Sequence, residues 1–214
     1  MSAPQLTLYV DSNFLSPYAM SAFVALHEKK LPFTLEPLNL SAGENKGPDF
    51  QSTSLTCRVP TLVHGDFSLS ESSAISEYLD EEFPGPRYAA LYPGDRRARA
   101  RARQIQAWIR SDFLPVRRER PTDVVFREPI DKPLSDAAQA SAEKLLHAAD
   151  ALVGPAAGPL FGAWSIADTD LALMLNRLVL NGDPVPEKLT AYAHAQWQRS
   201  SVGLWVARAR ALRR

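Results

Sequence analysis

"RVPTLVHGDFSLSESSAISEYL", residues 58–79, reads in three pieces. The stretch "PTLVHGDFSL" is apolar around Gly65-Asp66, a turn dipeptide that folds two strands into a hairpin. "ESSAISEYLDEEF" carries apolar residues at helical spacing and stops before Pro84. A proline at the start of a strand can spare its missing N–H, so Pro60 opens the hairpin either as an ordinary trans residue or as a cis bond. A cis bond would turn the Val59 backbone outward, free to pair with an extended peptide. The bunched Ser70, Glu71, Ser72 and Ser73 also carry two readings. They cap the helix and bring negative charge to its first turn, or they clamp an amino-acid end group. In the clamp, Ser72 and backbone N–H groups hold a carboxylate and Glu71 holds an ammonium.

Upstream, "QLTLYV" is a strand, "PYAMSAFVALHEK" (residues 17–29) a helix and "FTLEPL" a second strand. Residues 41–54 are polar, with Gly43, Gly47 and Pro48, and predict a loop with one helical turn. The order is βαβ, loop, ββα. Ser16-Pro17 marks a helix start, since serine is favoured as the cap and proline at the first helical position. The same serine stands where a bound anion would sit, because a helix N-terminus leaves N–H groups unsatisfied and partly positive. A thiolate is one such anion. Hydrogen bonding to a charged group contributes about 1.5–3 kcal/mol, or about one to two pKa units. A thiol of pKa near 8.5 would thereby approach neutrality.

Downstream, "PGPRYAALYPGD" (residues 84–95) is rich in Pro and Gly and predicts a linker; beyond it the strand patterns end. Residues 96–120 read as a helix bent or broken at Pro115. "LSDAAQASAEKLLHAADALV" and "SIADTDLALMLNRLVL" are helical, and residues 187–211 form one or two closing helices. Ser165 with Asp168 three residues on matches a capping box, with Asp in place of Glu or Gln, and suits a buried folding element. The predicted architecture is an α/β domain over 1–83, a linker over 84–95 and an all-helical domain over 96–214.

Charge narrows the function. Lys+Arg and Asp+Glu both number 24, which argues against an overall footprint for nucleic acid or anionic membrane. The arginines at 96, 97, 99, 101 and 103 spread around their helix and suit a solvated or dimer-facing surface. Arg110, Arg117, Arg118 and Arg120 flank Pro115, and one of them could meet an acidic substrate. One cysteine, Cys57, allows no internal disulfide and suits a small packed side chain. The four histidines lack ligand spacing, so no metal is expected. The N-terminus lacks the pattern of a signal peptide, and no window approaches the ~18 apolar residues of a membrane span. A cytoplasmic protein is the expectation.

Together, "SPYAMSAFVAL", "RVPTLVHGDFSLSESSAISEYL", the "LYP" of the linker and "ADTDLAL" resemble the glutathione transferase family, in order over nearly the whole chain. "RARQIQAW" and "ERPTDVVF" are most similar to its bacterial YfcF-type subgroup. The resemblance implies a thioredoxin-like N-terminal domain followed by an all-helical C-terminal domain. It also implies glutathione as co-substrate, a variable electrophile pocket and a homodimer. Residue by residue, it makes Ser16 the activating hydroxyl and Val59 the residue whose backbone pairs with the cysteinyl part of glutathione. Pro60 becomes the cis proline, and Glu71 with Ser72 the pair that holds the γ-glutamyl end. Lys46, with Arg58 as the other candidate, meets the glycyl carboxylate. Glutaredoxins share the N-terminal fold and read Cys-Pro-Tyr-Cys where this chain reads Ser16-Pro17-Tyr18-Ala19, so dithiol exchange at this turn is excluded. The expected function is thiolate transfer to small electrophiles, with reduction of organic hydroperoxides beside it. The rival readings are a non-catalytic glutathione-binding or protein-docking module, and a thiol-disulfide oxidoreductase that uses glutathione alone.

Overall fold

A computed structural model describes residues 5–212. They form two compact units, one of residues 5–91 with Leu204–Leu212 and one of Tyr92–Gly203. The first contains β1 (Leu6–Asp11), α1 (Pro17–Glu28), β2 (Thr34–Leu38), a 3-10 turn (Glu44–Lys46), α2 (Pro48–Thr53), β3 (Thr61–His64), β4 (Phe67–Ser70) and α3 (Ser72–Glu82). The sheet order is β2-β1-β3-β4, with β1 parallel to β2 and antiparallel to β3, and β3 antiparallel to β4. This is the expected thioredoxin-like arrangement.

Alternation along β1 splits its side chains between the two faces of the sheet. Leu6, Leu8 and Val10 are buried, while Tyr9 meets Phe50 of α2 edge-on with ring centroids 5.3 Å apart. Every residue from Ala19 to Leu26 is buried, so α1 is apolar nearly all round and packs on both the sheet and α3. The polar stretch 41–54 is more helical than its composition implied. Pro48 starts α2, and Phe50, its one buried residue, anchors it.

Lys29 explains where the first unit ends. It is fully buried, and its Nζ donates to Phe83 O (2.8 Å) and Ala89 O (2.9 Å) and pairs with Asp80 at 3.1 Å. Asp80 also accepts from Leu91 N at 2.8 Å. The chain from 83 to 91, which composition assigned to a linker, is thereby fastened to the sheet unit. Trp205 carries Leu204–Leu212 into the same unit, its ring 5.2 Å from Phe14 and 5.3 Å from Phe23.

The second unit contains α4 (Arg96–Ser111), α5 (Leu114–Glu119), α6 (Thr122–Phe126), α7 (Asp136–Leu152), α8 (Ile166–Val179), α9 (Glu187–Trp197) and the start of α10 (Ser200–Ala211). The break expected at Pro115 falls at Asp112–Phe113, where Phe113 takes φ 62°. Pro115 then lies in the first turn of α5, where its missing N–H is harmless. Residues 166–178 of α8 are all buried, as a central helix requires. The Asp168 carboxylate accepts from Ser165 N (2.8 Å), Ser165 Oγ (2.9 Å), Leu160 N (2.8 Å) and Tyr192 Oη (3.0 Å). Burial pushes its carboxyl up, and these donors pull it back. Two of the arginines around Pro115 are engaged inside this unit: Arg110 pairs with Asp170 at 3.2 Å and Arg120 with Asp183 at 2.6 Å. Neither is held out as a ligand for an acidic substrate. Among the described residues, no helix is long and apolar enough to cross a membrane.

Candidate active site

Sheet register decides which motifs meet. Tyr9 pairs with Thr61, and Thr61 pairs with Ser70. The end of β1, the start of β3 and the end of β4 therefore share one end of the sheet. Ser16 follows the first, Val59-Pro60 precedes the second, and Glu71-Ser72 follows the third. β2 also ends here, with Leu38 opposite Asp11, so the turn that carries Lys46 leaves from the same end. All six sequence-expected site residues thus belong to loops or helix starts on one rim.

Ser16 is half-buried and is the N-cap of α1, its Oγ accepting from Ala19 N at 3.1 Å. That contact occupies one lone pair. A hydroxyl has one proton to donate as well, so the cap leaves Ser16 able to donate to an anion. Sequence reasoning did not find the residue beneath it. Asp11, 6% exposed, accepts from Leu15 N at 2.7 Å and from Ser16 N at 3.0 Å. Those bonds fix the turn that aims Ser16. An Asp at a strand end, four and five residues before the two N–H groups it accepts, was the available signal.

The Val59-Pro60 bond is cis. Val59 is half-buried, and among the described residues no hydrogen bond uses its N–H or C=O. Glu71 is the exposed N-cap of α3, at φ 70° and ψ 113°, in a region that favours glycine. Its side chain makes no cap hydrogen bond, so the capping reading does not account for it. Ser72 is 2% exposed and begins the helix, whose first turn holds no acidic residue. No side chain caps the N–H groups at the start of α3, which leaves that helix end open to an anion.

Lys46 is exposed in its 3-10 turn, and Arg58 is exposed in the loop before Val59. Asn45 Nδ2 donates to Cys57 O at 2.7 Å and ties these two basic segments together. Cys57 is half-buried at φ 52°, with its Sγ 3.6 Å from Ser54 O, as suits a packed loop residue. Among the described residues, no group of three or more His, Cys, Asp or Glu could hold a metal ion.

A sheet unit of thioredoxin type ahead of a helical unit, with this rim at the sheet end, defines the glutathione-transferase fold. Residues 15–82 match the model for the glutathione S-transferase N-terminal domain, and residues 95–211 that for the C-terminal domain. The chain belongs to the glutathione S-transferase family. A glutathione transferase homologue from Burkholderia gl BGR1, solved with bound glutathione, is 51% identical with a TM-score of 0.81, covering 97% of this chain and 99% of that one. Human glutathione S-transferase theta-1 is 35% identical over 103 residues, or 48% of this chain and 41% of the human protein. A stringent starvation protein A homologue from Haemophilus ducreyi is 30% identical over 141 residues, covering 66% of this chain and 60% of that protein.

Proposed function

We propose that the protein is a glutathione transferase of the YfcF-type subgroup, acting as a cytoplasmic homodimer. Glutathione lies extended along the rim. The Val59 backbone pairs with its cysteinyl unit, and cis Pro60 holds that backbone outward. Glu71 meets the ammonium of the γ-glutamyl end, while Ser72 and the first N–H groups of α3 meet its carboxylate. Lys46 faces the glycyl carboxylate. Ser16 donates its hydroxyl proton to the sulfur and lowers the thiol pKa. The thiol proton leaves to water or to a carboxylate of glutathione. The thiolate then attacks an electrophilic carbon, forming a C–S bond as the leaving group departs with its electron pair. With an organic hydroperoxide it attacks oxygen, the O–O bond breaks, and an alcohol and the sulfenic acid of glutathione result. A second glutathione converts the sulfenic acid to the disulfide and water.

The observation that carries this reading is the common sheet end of Ser16, an unpaired Val59 backbone and an uncapped α3. The bound glutathione in the Burkholderia homologue supports it. Calorimetric titration with glutathione tests it, and absence of binding at millimolar ligand would rule it out. The likeness to a stringent starvation protein A homologue, whose name carries no transferase activity, favours the docking-module alternative. Glutathione uptake without turnover of chlorodinitrobenzene or cumene hydroperoxide would decide for that alternative.

A further inference from the structure

Beneath the rim lie three buried hydroxyls that touch one another. Ser54 Oγ is 2.8 Å from Thr61 Oγ1 and 3.0 Å from Ser70 Oγ, and Thr61 Oγ1 is 3.1 Å from Ser70 Oγ. Their exposures are 1%, 0% and 8%. Thr61 Oγ1 also donates to Arg58 O at 2.8 Å. Three hydroxyls bring three protons to these four short contacts. With the Thr61 proton on Arg58 O, the two serine protons close two sides of the triangle. The third side is then a contact without a proton, but every hydroxyl donates once, and a buried network so satisfied rigidifies the segments it joins.

The residues joined are the informative part. Ser54 is the C-cap of α2, Thr61 begins β3 and Ser70 ends β4. The loop carrying Arg58, Val59 and Pro60 hangs between the first two, and Glu71 follows the third. A packing role alone would be filled by Ala or Val at these sites, because an apolar isostere avoids the cost of burying hydroxyls. What the hydroxyls add is a fixed distance between two backbone segments. One is the segment around Val59 and the other the segment at Glu71-Ser72, the cysteinyl and γ-glutamyl halves of the proposed clamp. We propose that Ser54, Thr61 and Ser70 are positioning residues for glutathione, setting the spacing of the two clamps without touching the ligand. The inference rests on the glutathione site proposed above.

The test uses the full-length protein, with glutathione titrated calorimetrically into wild type, Thr61→Val, Ser54→Ala and Ser70→Ala. Each variant removes a proton or an acceptor from the triangle, and the glutathione Kd should rise between about threefold and about thirtyfold. In turnover, the KM for glutathione should rise likewise, while kcat at saturating glutathione stays within about twofold. Thr61→Ser keeps the hydroxyl and should restore affinity. Ser21→Ala is the control: Ser21 is 1% exposed in α1 and among the described residues its Oγ has no hydrogen-bond partner, so affinity should not move. Amide hydrogen exchange of the free protein gives a readout independent of ligand. Protection of the bonded amides flanking the two segments, Cys57 N–H on Ser54 O and Ile75 N–H on Glu71 O, should fall in Thr61→Val and Ser70→Ala and not in Ser21→Ala. Wild-type binding with unchanged Kd and unchanged exchange in the triad variants would overturn the inference and leave the glutathione site standing. No binding by wild type would overturn both.

Discussion

Replacing Ser16 separates its two roles. Ser16→Ala removes the cap on Ala19 N–H, and loss of an N-cap costs about 0.5–2 kcal/mol of stability. The same change removes a hydroxyl donor to the sulfur, worth about 1.5–3 kcal/mol, or about one to two pKa units. Take bound glutathione with a thiol pKa near 6.5, two units below the free value of about 8.5; roughly three quarters is then thiolate at neutral pH. Returning one unit leaves about a quarter ionised, and returning two leaves about three per cent. The thiolate absorbance of bound glutathione should therefore fall between about threefold and twenty-five-fold, with a matching fall in kcat/KM. Ser16→Asp isolates the chemistry, because an Asp carboxylate caps as well as serine but has no proton to give at neutral pH. Its melting temperature should match wild type while its thiolate signal is lost. Ser16→Thr should keep both. A Ser16→Asp protein that binds glutathione as tightly and as fully ionised as wild type would refute the donor role. Attention would then pass to Ser12 and Asn13 in the preceding loop.

Three other outcomes follow from single contacts. Lys29→Met removes the buried ammonium that pairs with Asp80, and urea unfolding should show a loss of about 3–5 kcal/mol; Lys29→Met with Asp80→Leu should recover much of it. Burial, helped by Arg208 and opposed by Glu28, holds His27 below the usual histidine value. A base depressed in the fold takes up its proton on unfolding, so its contribution is intact above about pH 6.5 and declines as pH falls from there through the folded pKa. Melting curves taken downward from neutral pH should show that decline in wild type and lack it in His27→Gln. Glu71→Gly should unfold at higher urea, by up to about 1 kcal/mol, since glycine adopts φ 70° without strain, yet bind glutathione more weakly. Equal or tighter binding would remove Glu71 from the clamp.

The sheet was legible because Gly65-Asp66 and the flanking apolar alternation name a hairpin locally, and α8 because its apolar run is long. The short helices α2 and α6 were not, since five or six residues give periodicity nothing to repeat over. Pro115 signalled a helix break but not its place: the chain turned at Phe113, and the proline took up the first turn of the next helix. At Pro60 the local pattern allowed a cis bond beside a trans one, and only the family resemblance chose the cis bond that the structure shows. Asp11, Asn45 and the hydroxyl triangle were out of reach for another reason. Thr61 and Ser70 meet across a gap of nine residues, and only the register of β3 on β4 brings them together.

That register also explains why this end of the sheet, rather than any other loop cluster in the unit, suits a peptide ligand. Buried polar groups must be paired, and a strand end exposes several at once. Here the pairing is selective. Asp11 satisfies the N–H groups of Leu15 and Ser16, Asn45 satisfies Cys57 O, and Thr61 satisfies Arg58 O. Each of these lies beside or behind the rim. The Ser16 proton, the Val59 backbone and the start of α3 are left for something else, and Glu71 is held at a positive φ beside them. A loop selected for stability alone would cap α3 with its own side chain and place glycine at position 71. The chain does neither, and both departures fall at one helix start. Natural sequences tolerate such local conflicts chiefly where a ligand, absent from the folding problem, resolves them.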